Sequence, residues 1–413
     1  MPLLHAPSRL AFTPSIAHLC SLIALTSLLT GCSSPIRQPS AVPAKAAAQP
    51  APLASAAAVQ AEPVIDTVVE PVLVAPANLP PLTEQALPPR KDPDAYAERD
   101  SARELARELA SSHQLDPQWV WAAISQARHI ESVTRLMMPA SSPSAKNWAA
   151  YRSRFIEPQR IKAGARFWRE HEDALQRAQD TYGVPVDIVA GVIGVETIYG
   201  RHMGTYRVLD ALTTLTLDFP RGRSDRSAYF RQELGEFLVM CREQGLEPTQ
   251  VRGSYAGAIG WPQFMPSSIR KFAVDFDGDG RIDLINSPVD AIGSVAHFLS
   301  AHGWRTGWPT HFDVTPPPEG PQRETLLGPD IRPTFSASEM TELGATLQDS
   351  AREHPGQLAL VLLHNAGKAP TLIAGTENFY AITRYNQSSY YALAVIQLGQ
   401  AVGKQGLRTN ARP

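Results

Sequence analysis

Surplus charge is almost absent. Over 413 residues, 38 lysines and arginines face 40 aspartates and glutamates, a net of -2. A nucleic-acid partner calls for a basic face, and this balance gives no reason to expect one. Cysteine is nearly absent too, at three residues. Cys20 and Cys32 lie near the N-terminus, so Cys241 stands alone in the body of the chain and cannot form an intramolecular disulfide. It reads as a small buried hydrophobe on a helix. The apolar run LCSLIALTSLLTG at 19–31 is too short to cross a bilayer, which takes roughly 20 residues.

That run follows a mildly basic start containing Arg9 and reads as the apolar part of a signal peptide. It ends in Leu29-Thr30-Gly31-Cys32, which resembles a bacterial lipobox. Residues 1–31 are therefore expected to be a lipoprotein signal peptide, with Cys32 acylated after cleavage. Ser33, rather than an aspartate, follows the cysteine and suggests the periplasmic face of the outer membrane. Several acyl chains make a stable anchor where one is marginal. Residues 32–92 are rich in Pro and Ala, without aromatic or periodic pattern, and read as an extended tether.

Periodic sequence begins near Asp94, and 93–413 is read as the folded part. ERDSARELARELASSH and LDPQWVWAAISQA have helical spacing, the second with Pro117 in its first turn. Residues 159–182 and 228–245 read as amphipathic helices, and YYALAVIQLGQAVGKQG as a closing one. Residues 308–375 differ, with TPPPEGP, short apolar pieces such as LALVLLH and many turn residues. They predict a small β-containing insertion.

VPVDIVAGVIGVET raises the chemical question. From Ile188 to Val195 it is apolar, with glycines that suggest close approach of a neighbour, and then it carries Glu196. Burial disfavours the charged carboxylate, and a rise from about 4.3 to about 6 costs roughly 2 kcal/mol, giving an acid useful near neutrality. A structural Glu held by backbone donors or by Arg201 is the alternative. GSYAGAIGWPQFMPSS and FYAITRYNQSSYYALAV mix aromatics with hydroxyl and amide side chains, a combination suited to sugars, although aromatics at such spacing also serve as core.

Taken in order, GVIGVET, GSYAGAIG with PQFMPSS, AVDFDGDG, DAIGSVAHFL and NFYAITRYN resemble the membrane-bound lytic murein transglycosylase B family and its soluble form. The resemblance implies a mainly α (α+β), lysozyme-like catalytic core with an N-terminal helical part. It matches Glu196 to the catalytic acid, and Tyr151, Ser254, Gln263, Tyr385, Asn386 and Tyr391 to positions lining the glycan cleft. It implies peptidoglycan glycan strands as partner, with other cell-wall enzymes as further ones. The chain departs from the pattern at Trp261-Pro262, in RGRSDRSAYF and in the insertion, so contacts near these places are open.

Ordinary glycosidases use two carboxylates about 5 Å or about 6.5–9.5 Å apart. Asp187 lies on the same helix as Glu196 but roughly 13 Å away at 1.5 Å per residue, and Asp210 and Asp218 belong to no matched motif. The family's chemistry needs one acid. The glutamic acid protonates the leaving oxygen, the N-acetyl group of muramic acid stabilises the developing cation, and the same residue then deprotonates the 6-hydroxyl to close a 1,6-anhydro ring. Two rivals stay open: a hydrolytic muramidase using the same Glu, and a non-catalytic peptidoglycan-binding lipoprotein.

DFDGDGRID has the spacing of an EF-hand calcium loop: Asp275, Asp277 and Asp279 at positions 1, 3 and 5, Gly280 at the turn, the Arg281 carbonyl at 7 and Asp283 at 9. Position 12 is Asn286 rather than a bidentate Glu. Asp290, at the next helix start, is the favoured final ligand by the resemblance. A structural calcium is expected.

Overall fold

The computed structural model describes residues 95–138, 146–222 and 224–410. The signal peptide at 1–31, Cys32 and the tether at 32–92 lie outside the described residues.

Three helices come first: α1 (Asp100–His113), α2 (Pro117–Ile124) and α3 (Glu131–Met137). α2 starts where the sequence says it should, because the Asp116 carboxylate accepts the Trp119 N–H at 2.7 Å and Pro117 occupies the first turn. Next come α4 (Trp148–Phe155), α5 (Pro158–Glu170), α6 (Glu172–Tyr182) and α7 (Val186–Thr197). The single helix expected over 159–182 is two, because His171 leaves helical geometry at φ -129, ψ 27 between them. Then follow β1 (Tyr206–Arg207), α8 (Val208–Leu217), α9 (Ser227–Gln244), β2 (Arg252–Gly253), α10 (Pro266–Phe272) and α11 (Pro288–Ala301). Cys241 on α9 is free and buried, as its isolation suggested.

α7 and the closing helix α16 (Ser389–Asn410) form the centre. A β-carbon at Gly191 of α7 would stand 2.3 Å from the Val395 carbonyl oxygen, and one at Gly399 of α16 would stand 2.0 Å from that of Asp187. One glycine on each helix thus permits main chain to meet main chain. Val189, Val192, Ile193, Val395 and Leu398 have no accessible surface there. Each contributes about 1.5–3 kcal/mol by leaving water, most of it offset by ordering the chain.

The segment between Trp308 and Gly375 is the expected β-containing insertion, with three short helices besides. It holds β3 (His311–Thr315), α12 (Pro321–Leu327), α13 (Ala337–Glu342), β4 (Thr346–Leu347), α14 (Asp349–Arg352), β5 (Ala359–Asn365) and β6 (Lys368–Gly375). The sheet is antiparallel in the order β4-β3-β6-β5. Leu360 and Ala374 join a satellite core with Leu326, Met340 and Leu347, while Val361, Leu363 and Ile373 join the main core. Both faces are covered along Leu358 to Leu363, so LALVLL is apolar throughout instead of alternating. α15 (Glu377–Thr383) links the insertion to α16.

Candidate active site

Glu196 sits in the last turn of α7, and the chain turns sharply straight after it. Ile198, Tyr199 and Gly200 all have positive φ, at 51°, 55° and 79°. Thr197 holds the turn: its hydroxyl accepts from the Gly200 N–H at 3.0 Å and reaches the Trp261 carbonyl at 3.0 Å. A β-carbon at Gly200 would fall 2.7 Å from the Trp261 ring, so the indole fills the space that glycine leaves. Trp261 is itself fixed by its ring N–H, which donates to the Ile285 carbonyl at 3.2 Å. The departure at Trp261-Pro262 therefore braces the end of the Glu196 helix.

Part of Glu196 remains open, yet protein crowds its carboxyl. Loss of water pushes its pKa up to about 7, against the lowering influence of the Tyr391 hydroxyl and the Arg160 charge. Tyr391 donates to Glu196 Oε1 at 2.7 Å. Arg160, buried on α5, donates to the carbonyls of Gly194 and Val195 at 3.1 and 3.3 Å, so one cation serves the end of α7 and the carboxylate together. The partner is Arg160, not Arg201, which is exposed. Nothing in the sequence near Glu196 pointed to it.

Three tyrosines face the carboxyl. Tyr151, Tyr385 and Tyr391 each have a phenol pushed up first by burial and then by the charge of Glu196. They stay protonated near neutral pH, and Glu196 is the member of this set that titrates there. The Tyr151 hydroxyl is buried without a hydrogen-bond partner. Tyr385 spends its hydroxyl on the Pro262 carbonyl at 2.5 Å and stacks with Tyr391 at 6.3 Å. Tyr391 was expected on the cleft wall, but it has no accessible surface. It meets the site through its hydroxyl, which donates to the Glu196 carboxyl.

The remaining expected residues are half-buried. Ser254 Oγ accepts the N–H groups of Ala256 and Ala258 at 3.3 and 3.0 Å, which leaves its proton to donate. Gln263, at φ 50°, gives both amide hydrogens to the carbonyls of Met203 and Gly260, so its side-chain oxygen is left to accept. Asn386 follows Tyr385 in the turn before α16. The other acids are engaged elsewhere. Asp218 binds Tyr96 and Arg99, and Asp210 binds the Arg128 N–H and pairs with Arg207.

The acidic loop gathers Asp275, Asp277 and Asp279, with an oxygen of each within 4.8 Å of the others. Asp275 accepts from the N–H groups of Gly278, Asp279 and Gly280, and Asp279 from that of Arg281. Asp283 accepts from Ile285 and Asn286. Asp290 is buried and accepts the N–H groups of Phe276, Asp277 and Asp283, which closes the loop on itself.

Over most of the chain, residues 97–400, the sequence matches one family, the Transglycosylase SLT domain. The chain belongs to that family. It is 43% identical over 315 residues to the membrane-bound lytic murein transglycosylase B of Escherichia coli (strain K12), covering 74% of this chain and 84% of that relative. The solved E. coli lytic transglycosylase SLT35 in complex with calcium is 40% identical, with a TM-score of 0.66 over 78% of this chain and 99% of its own. SltB3 from Pseudomonas aeruginosa, in complex with NAG-anhNAM-pentapeptide, is 29% identical, with a TM-score of 0.61 over 73% and 79%. The mainly helical, lysozyme-like fold implied by the motifs is the fold of these transglycosylases. Among the described residues, no helix is long and apolar enough to cross a membrane.

Proposed function

We propose that the domain at 93–413 is a lytic transglycosylase. It cleaves the β-1,4 bond between N-acetylmuramic acid and N-acetylglucosamine in peptidoglycan, with Glu196 as acid and then base. The observation that carries this is a single carboxyl whose pKa stands at about 7 and whose influences are burial, a tyrosine and an arginine, with no second acid among them. Protonated Glu196 gives its proton to the leaving glycosidic oxygen, and the substrate's N-acetyl carbonyl supports the cation at C1. The carboxylate so formed takes the proton of the 6-hydroxyl as that oxygen closes on C1. The proton returns to its starting place and no water is consumed. A pKa near the working pH serves both steps. Ser254 and Asn386 would hold the N-acetyl group, Gln263 would accept from a sugar hydroxyl, and Tyr151 and Tyr385 would wall the ring. The relative solved with an anhydro-muramyl ligand supports the cyclised product.

The loop fits calcium: three clustered carboxylate oxygens repel one another without a cation. Asp275, Asp277, Asp279, the Arg281 carbonyl, Asp283 and Asp290 would hold it, and the ion would supply structural stability. Acylated Cys32 and the tether would hold the enzyme at the periplasmic face of the outer membrane, within reach of glycan strands and of other cell-wall enzymes. A membrane-bound relative supports an anchor of this kind. The test of the assignment is Glu196→Gln on murein sacculi. Retained sedimentation with sacculi and lost cleavage supports it, and cleavage at the wild-type rate rejects it in favour of a different acid.

A further inference from the structure

The β5–β6 hairpin tip reaches out of the insertion and grips both elements that carry tyrosines over Glu196. Ala366 and Gly367 form its turn, with φ 50° and 83°. Asn365, at the irregularity in the β5–β6 register, uses its whole side chain. Nδ2 donates to the Ala369 carbonyl at 3.0 Å and to Thr371 Oγ1 at 3.3 Å, and Oδ1 accepts the Ala149 N–H at 3.2 Å. Ala149 lies in the first turn of α4, where backbone N–H groups have no partner within the helix. Asn365 thus supplies an acceptor across 216 residues of sequence. The main chain adds a bridge between Asn147 and Asn365, and the Ala366 N–H donates to the Lys146 carbonyl at 3.2 Å. On the other side, the His364 N–H donates to the Tyr390 hydroxyl at 2.8 Å.

α4 and Tyr390 meet above the carboxyl. Tyr151 lies edge-on to Tyr390 at 5.7 Å and beside Trp148 at 6.3 Å, and Trp148 lies edge-on to Tyr390 at 6.1 Å. Tyr390 is followed by Tyr391, which donates to Glu196. The hairpin therefore fixes the wall over Glu196 from both ends, although none of its residues bonds to the carboxyl.

We infer that Asn365 is a positioning residue for the reaction: by capping α4 it holds Tyr151 and the Trp148–Tyr390 pair over Glu196 and keeps water from the carboxyl. This rests on Glu196 being the acid, and it gives the insertion a part in catalysis. The ionisable groups facing Glu196 are Tyr151 from α4, Arg160 from α5, Tyr385 from the turn before α16 and Tyr391 from the first turn of α16. Only the first is set by the hairpin directly.

The test compares Asn365→Ala, which removes the acceptor, with Asn365→Asp, which keeps it, and with Thr371→Val, which touches only the hairpin's interior. Sacculus cleavage is followed against pH, and amide exchange is measured over 147–155. Asn365→Ala should speed exchange in α4, lower kcat about tenfold, as loosened geometry at a site does, and move the alkaline limb to lower pH because Glu196 regains water. Asn365→Asp should restore most of the rate and the limb, and Thr371→Val should leave both unchanged. A wild-type rate and limb in Asn365→Ala, or an Asn365→Asp variant as slow as Asn365→Ala, overturns the inference. Glu196→Gln run alongside separates the two failures, since activity surviving there would overturn the acid assignment itself.

Discussion

Replacing Tyr391 by Phe removes one hydroxyl from a fully buried ring and leaves the ring's packing in place. That hydroxyl is the hydrogen bond to Glu196 Oε1 at 2.7 Å, and it stabilises the carboxylate more than the acid. Hydrogen bonds to charged groups contribute about 1.5–3 kcal/mol, and part of this persists when the carboxyl is protonated, so the difference is roughly 1.4 kcal/mol, or about one pKa unit. The Glu196 pKa should rise from about 7 to about 8. The first chemical step needs the protonated acid, so activity is lost as pH climbs through this pKa, and the alkaline limb of kcat/KM should move up by about one unit. At pH 8 the variant should keep about half of its own maximum, where the wild type keeps about a tenth. Turbidity loss of sacculi, measured at each pH and scaled to each enzyme's maximum, gives the midpoint without regard to any fall in absolute rate. A midpoint that stays in place or moves down would refute the claim that this hydroxyl holds the Glu196 pKa down.

Glu196 should also cost stability at high pH. Its pKa is about 7 in the folded chain against 4.5 ordinarily, so the folded state binds more protons, and stability present below about 4.5 is lost as pH rises to about 7. Glu196→Gln should therefore be more stable than wild type by up to about 3 kcal/mol above pH 7 and no different near pH 4. Melting curves showing a gap independent of pH would contradict this. Gly191→Ala drives a methyl to 2.3 Å from the Val395 carbonyl and should cost roughly 1–3 kcal/mol, seen as a lower Tm in thermal unfolding. Chelation should lower the wild-type Tm and 10 mM calcium should restore it. A dissociation constant of about 10⁻⁴–10⁻³ M corresponds to about 1.4–2.7 kcal/mol at that concentration. An Asp277→Asn variant should respond less, and an equal response would remove Asp277 from the ligand set.

What could be read in the sequence was what is local. Glu196 stood out because it interrupts an apolar run, and the acidic loop because its spacing is self-contained. The helix start at Pro117 followed from proline's suitability for a first helical turn, and the insertion from turn residues around LALVLLH. Long-range partners were not legible. Arg160 lies on a different helix from Glu196, and its neighbours KAGARF look like any amphipathic helix. Tyr390 and Tyr391 are adjacent, but a helix turns them about 100° apart, so one faces the hairpin and the other the carboxyl. Nothing in SSYYALAV says which; the resemblance matched Tyr391 to a position lining the cleft, and the structure buries its ring. The break at His171 escaped because the apolar period continues across it.

The central claim is that one carboxyl does both proton transfers while the sugar's own hydroxyl closes the ring. Digestion of sacculi by the purified domain in isotopically heavy water, with products weighed by mass spectrometry, tests it most directly. Muramyl ends lighter by one water than hydrolysed ends, and free of heavy oxygen, are the predicted result. Reducing muramyl ends carrying the heavy isotope would contradict it.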